Sequence, residues 1–190
     1  MKALQASPWV LLNTPAQQLT ESPRYAHQRW IWLDIDGQCI YRCKGWNMQT
    51  GESIHLQSQA LPESFGCVIP TQTPEQLLLF GRSGVYLAHW SLDTNQCSLN
   101  QLAPAPFDSK NHRFNDGRAD GQGRVWISSL SDDRTATASL YCWESAQFSE
   151  RLSGLIVGNG SAFSPNFEQF YWADTRHRKI WGSNYDQLRG

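Results

Sequence analysis

No block of basic residues stands out in this chain. Its 16 basic and 17 acidic residues nearly cancel, to a formal net charge of −1. Nucleic acid is therefore not an expected partner. Long hydrophobic runs are also missing. The longest, such as Trp30-Ile31-Trp32-Leu33, are far too short to span a bilayer, so no membrane partner is expected. The start, Met1-Lys2-Ala3-Leu4-Gln5, has no apolar centre of the signal-peptide kind, and a cytoplasmic location follows by default. Paired cysteines are absent too. Cys39, Cys43, Cys67, Cys97 and Cys142 make an odd set with no CxxC spacing. They read as reduced, small and mostly buried, not as zinc ligands. Helical periodicity is lacking over every window of useful length.

Aromatics, in contrast, are abundant. Nine tryptophans accompany 14 glycines and 9 prolines among 190 residues, which favours many short strands joined by turns. Four strand-like segments recur: Arg29 to Ile35, Gln76 to Phe80, Arg124 to Ser128, and Gln169 to Ala173. Aligning Trp32, Leu79, Trp126 and Trp172 gives spacings of 47, 47 and 46 residues. A second strand follows each: Cys39 to Arg42, Gly84 to Ala88, Ser139 to Trp143, and Lys179 to Gly182. Third strands follow in three cases: Ser53 to Leu56, Ser98 to Leu102, and Gln147 to Leu152. Turn residues such as Asp36-Gly37 and Asp93-Thr94-Asn95 separate them. Strand and turn at this period predict an all-β fold built from β-propeller blades.

The expected domain is one incomplete propeller over residues 1–190. An N-terminal strand is expected at 8–14, with blades near 21–57, 64–102, 113–152 and 159–190. The sequence stops one strand short of finishing its fourth repeat. It reads as a fragment of a larger ring or as a small protein closed by Trp9-Val10-Leu11-Leu12. Open sheet edges would favour self-association.

Polar residues fall at related places in the repeats. Glu21 lies eleven residues before Trp32, Asn115 eleven before Trp126, and Asn159 thirteen before Trp172. If these positions are loops leading into innermost strands, a carboxylate and two carboxamides meet at one mouth of the channel, beside Arg113. Oxygen donors of this kind suit Ca²⁺ or Mg²⁺ and can serve Mn²⁺ or Zn²⁺. The same residues are also good turn formers, and spacing alone leaves both readings open.

Five segments, in order, resemble one known family. They are Thr20-Glu21-Ser22-Pro23, Trp32-Leu33-Asp34-Ile35, Arg113-Phe114-Asn115-Asp116-Gly117-Arg118-Ala119-Asp120, Asn159-Gly160-Ser161-Ala162-Phe163-Ser164-Pro165 and Tyr171-Trp172-Ala173-Asp174-Thr175. The family is the senescence marker protein, regucalcin and gluconolactonase group. The resemblance spans about residue 15 to the end and implies a six-bladed propeller, of which about four blades are here. It implies hydrolysis of a sugar lactone with one divalent metal ion. It assigns Glu21 and Asn159 to the metal, and Arg113 and Asn115 to substrate, with Asp133 as a looser substrate match. The family's third metal ligand, an aspartate also assigned as catalytic base, belongs to a fifth repeat beyond Gly190. Asn159 is followed by Gly-Ser-Ala where the family usually has Gly-Leu-Ala. Asp116 reads as a residue that holds its turn, and the five histidines receive no role. A non-catalytic metal- or sugar-binding propeller, or an interaction propeller without ligand, are the rival expectations.

Overall fold

A computed structural model describes residues 11–190. The first three residues of the expected N-terminal strand 8–14 lie outside the described residues. Within 11–14, only Asn13 pairs, in a single parallel bridge to Glu52.

Blade 1 consists of β1 (Thr20–Ala26), β2 (Arg29–Asp34) and β3 (Cys39–Cys43). A two-stranded ribbon, β4 (Gly45–Trp46) with β5 (Ser53–Ile54), follows, and then the edge strand β6 (Gln57–Ala60). Blade 2 holds β7 (Phe65–Pro70), β8 (Gln76–Gly81), β9 (Gly84–Trp90) and β10 (Cys97–Pro104). Blade 3 holds β11 (His112–Ala119), β12 (Val125–Ser131), β13 (Ala138–Glu144) and β14 (Gln147–Leu155). Blade 4 holds β15 (Gly158–Phe163), β16 (Gln169–Asp174) and β17 (Lys179–Asn184). Every pairing within a blade is antiparallel. Four successive sheets in this order make the propeller that the repeat predicts.

Apolar residues on alternate strand positions are buried between neighbouring blades. Ile31, Leu33, Ile40, Phe65, Val68, Leu79 and Trp90 join blades 1 and 2. Phe80, Val85, Phe114, Val125, Ile127 and Trp143 join blades 2 and 3. Trp126, Leu140, Cys142 and Phe170 join blades 3 and 4. The opposite face of blade 1 exposes Trp32 and Tyr41 to the β4–β5 ribbon, whose Trp46 covers them (ring centroids of Trp32 and Trp46 5.9 Å apart). All five cysteines are free thiols.

Two sequence expectations need correction. The outer strand of blade 1 is Gln57–Ala60, not Ser53 to Leu56. Gln-Ser-Gln-Ala has no apolar alternation because it is an edge with little to bury, whereas Ser53-Ile54 serves the ribbon. More consequentially, the segments before Trp32, Leu79, Trp126 and Trp172 are not loops. They are β1, β7, β11 and β15, the innermost strand of each blade, and β1 packs on β7, β7 on β11 and β11 on β15.

Each innermost strand carries a β-bulge near its start. Ser22 and Pro23 together face Trp32 across the ladder, Asn115 and Asp116 face Ser128, and Gly160 and Ser161 face Trp172. In β7 the extra residue is Gly66. Bulges and turns draw on the same residues: positive φ (Ser22 56°, Gly160 65°) and a proline without a ladder N–H. That shared chemistry makes these strands look like loops in sequence.

Candidate functional site

The second residue of each innermost strand is Glu21, Gly66, Arg113 and Asn159 in turn. All four therefore start their strands at the same end of the propeller axis. Ladder register refines the comparison. Glu21 pairs with Leu33 and Asn159 with Ala173, each one residue after its aligned tryptophan. The register thus equates Glu21 with Asn159, although their sequence offsets are eleven and thirteen. The β15–β16 connection spans five residues, 164–168, where β1–β2 uses the two-residue turn His27-Gln28. Asn115, at Glu21's offset, instead falls inside the bulge of β11.

Gly66 contributes no side chain for a physical reason. A Cβ there would sit 2.1 Å from the Phe114 carbonyl oxygen and 2.8 Å from that of Asn115. Blade 2 yields its place so that the backbone of β11 can approach. Gly66→Ala should destabilise the chain by about 3 kcal/mol, as expected for forced overpacking against main chain. A urea unfolding midpoint equal to wild type would contradict this close approach.

Two buried aspartates fix where β1 and β15 begin. Asp34, paired with Thr20, accepts hydrogen bonds from the Gln18, Leu19 and Gly37 amides (3.1, 2.9 and 3.2 Å). Asp174, paired with Gly158, accepts from the Ile156, Val157, Arg176 and His177 amides (2.7, 3.3, 2.9 and 3.2 Å). The His177 ring adds a contact at 3.0 Å. Burial pushes both carboxyls up. The amide hydrogen bonds outweigh it and leave both below the ordinary carboxylate value.

Arg113 is 8% exposed. One guanidinium nitrogen, Nη1, donates to the Phe114 carbonyl and to Asn115 Oδ1, each at 3.0 Å. Asn115 Nδ2 in turn donates to the Gly158 carbonyl at 2.7 Å, immediately before Asn159. Arg113, Asn115 and the Asn159 segment thus form one hydrogen-bonded chain from blade 3 to blade 4. Among the described residues no carboxylate lies within 4 Å of Arg113, and its Nε and Nη2 donors have no protein partner. Burial pushes its guanidinium below the usual value, with Asp36 pulling the other way and Arg82 reinforcing the fall.

Asn159 Oδ1 accepts from the Gly160 amide (3.0 Å), and its Nδ2 meets Thr175 Oγ1 (3.4 Å). Glu21 is exposed, and its carboxylate has no hydrogen bond or ion pair among the described residues. No direct bond joins it to Arg113, Asn115 or Asn159. Asp133 lies in the β12–β13 loop and is engaged locally. It accepts from the Ser131 hydroxyl and from the Thr135 amide (3.1 Å) and hydroxyl (2.7 Å). These bonds, Ser131 first, hold its carboxyl at about 2.

Deeper in the channel lies a network that spacing does not reveal. Arg24 of β1 donates to the Val68 carbonyl (3.1 Å) and the Gly117 carbonyl (2.7 Å), and comes within 3.7 Å of Asp116. Asp116 Oδ2 accepts from the Ser161 amide at 3.1 Å. One arginine and one aspartate so connect all four innermost strands. Asp116 is structural, but across blades and not within a turn. Among the described residues no three or more His, Cys, Asp or Glu gather as a metal cluster.

Comparison with known proteins agrees with this architecture. The family described as SMP-30/Gluconolactonase/LRE-like region matches residues 19–190, and the chain belongs to that family. It is 28% identical over 189 residues to a 6-deoxy-6-sulfogluconolactonase of Pseudomonas putida, covering 98% of this chain and 59% of that protein. It is 27% identical over 137 residues to the regucalcin of Homo sapiens, covering 64% of this chain and 45% of that one. The chain thus spans about half the length of the curated relatives it matches. Among solved structures, a calcium-binding regucalcin from Agrobacterium tumefaciens superposes with TM-score 0.77 at 20% identity, covering 90% of this chain and 55% of its own. A gluconolactonase from Xanthomonas campestris superposes with TM-score 0.65 at 18% identity, covering 90% and 60%. These likenesses establish the fold.

Proposed function

We propose that this chain carries the metal- and lactone-binding part of a sugar-lactone hydrolase. The observation that supports the reading most is Arg113. A buried guanidinium without a carboxylate partner is costly unless it has a ligand to meet. Here it stands at the same channel end as Glu21 and Asn159, with Asn115 fixing its orientation.

The donor set fits a divalent cation in kind. Glu21 offers an unengaged carboxylate and Asn159 an amide oxygen, both hard ligands. Two such groups leave most of a coordination shell to water or substrate. When bound, the cation would polarise a lactone carbonyl and lower the pKa of a bound water. Arg113 is suited to grip the carbonyl or a ring hydroxyl through its free Nε and Nη2 donors. Asn115 holds that fork through its Oδ1. A proton acceptor for the attacking water is not assigned among these residues, since Asp133 is tied into its own loop.

A non-catalytic metal- or sugar-binding role is the second reading: Glu21 and Asn159 could hold a cation, and Arg113 a sugar, without a proton acceptor beside them. Isothermal titration with Ca²⁺, Mn²⁺, Zn²⁺ and Mg²⁺, followed by a pH-stat assay of gluconolactone opening, separates the two. Metal-dependent opening supports the hydrolase. Metal and sugar-acid binding without turnover supports the second reading. Neither binding nor turnover would refute both. Self-association belongs to the same proposal, because Tyr171 and Ile180 (79% exposed) lie uncovered on blade 4.

A further inference from the structure

A cavity of about 340 Å³ opens beside Asn159, lined by Arg134, Val157, Thr175, Arg176 and Arg178. Three of its five lining residues are arginines, in a chain of net charge −1. None of the three guanidinium groups has a carboxylate within 4 Å among the described residues. Charge so concentrated is not a consequence of composition. It comes from two hairpin loops, β12–β13 and β16–β17, which the fold brings to the same channel end.

The backbone that carries the arginines is held. Asp174 grips the amides of Arg176 and His177 and the His177 ring (2.9, 3.2 and 3.0 Å). Arg178 has φ 54° and Arg134 φ 62°, so both sit at tight left-handed corners. The cavity adjoins the site above. Thr175, in its wall, contacts Asn159 at 3.4 Å. Val157, in its floor, bridges Leu130, and Leu130 pairs with Arg113. Two strand spacings separate Val157 from Arg113, roughly 10 Å. Arg134 is also close enough to Arg113 to act on its charge.

We propose that Arg134, Arg176 and Arg178 form a subsite for an anionic group carried by the substrate, a phosphate or sulfonate on the far end of the sugar lactone. The proposal rests on the lactone reading above and extends it. Guanidinium forks match tetrahedral oxyanions bidentately. Arg113 would hold the lactone end while the three arginines hold the charged end.

The test uses the whole chain and three probes: gluconate, 6-phosphogluconate and inorganic phosphate, followed by tryptophan fluorescence. 6-Phosphogluconate should bind on the order of tenfold or more tighter than gluconate. The double variant R176Q/R178Q should lose that preference and keep the gluconate affinity. K179Q removes a charge outside the cavity and should keep the preference. Equal binding of the two sugar acids, both lost in Arg113→Met, would overturn the subsite and leave the lactone reading standing. Inorganic phosphate binding as tightly as 6-phosphogluconate, with no gluconate binding, would overturn both. A preference that survives in R176Q/R178Q would overturn the assignment to these arginines.

Discussion

Replacing Arg113 by methionine should remove affinity for a sugar lactone while leaving the fold as stable as before, or stabilising it by about 1 kcal/mol. The two effects share one cause. Burial depresses the Arg113 guanidinium, and among the described residues no carboxylate lies within 4 Å to compensate it. Exchanging a poorly compensated buried charge for an apolar side chain of similar length is often neutral or stabilising. The same charge is what a polarised carbonyl or hydroxyl would meet, so affinity for gluconate should fall on the order of a hundredfold. Titration and urea unfolding of the one variant measure both. Loss of stability by several kcal/mol with sugar binding retained would make Arg113 a structural residue only.

The second large effect concerns Asp174. Asp174→Ala strands the Ile156 and Val157 amides before β15 and the Arg176 and His177 amides in the turn after β16. Hydrogen bonds to a charged acceptor contribute more than neutral ones, and the loss should reach roughly 3–5 kcal/mol. The pH dependence has a definite sign. The folded carboxyl lies below its ordinary value, so the folded state binds fewer protons than the unfolded state between the two pKa values. Its stabilising contribution is complete above about pH 4 and is lost as pH falls through the folded value. Asp34 acts in the same direction at the start of β1. Wild type should therefore weaken steeply below about pH 4, and Asp174→Asn should show a shallower acid limb. Parallel acid limbs would refute the role given to this carboxylate. Because Asp174 sets the start of β15, its loss should also displace Asn159 and Arg176.

The sequence made the second and third strands legible and hid the first. Leu77-Leu78-Leu79-Phe80 and Val125-Trp126-Ile127 bury side chains on both faces, and such apolar runs announce themselves at the repeat period. The innermost strands bulge where the channel begins. Ser22-Pro23, Asn115-Asp116 and Gly160-Ser161 therefore look like turns. Glu21, Arg113, Asn115 and Asn159 stood out as residue types, and the family resemblance named them. Their equivalence could not be counted in residues, since connections of two and five residues lead from β1 and β15 to their partners. Arg24 left no sequence signal, because its contacts at Val68 and Gly117 lie 44 and 93 residues away. The run Arg176-His177-Arg178-Lys179 is too short to register in overall charge. It gains meaning only when Arg134 arrives from the preceding blade.

The central claim is that Glu21, Asn159, Arg113 and Asn115 share one channel end and that Glu21 and Asn159 hold the cation there. Paramagnetic broadening by Mn²⁺ of the backbone amide signals tests it most directly. Substoichiometric Mn²⁺ should first bleach amides around Glu21, Asn115 and Asn159, and spare those of Asp120 and Arg124 at the opposite end of blade 3. Glu21→Gln should abolish the pattern, and Asn115→Ala should leave it. Broadening centred elsewhere, or unchanged in Glu21→Gln, would contradict the account.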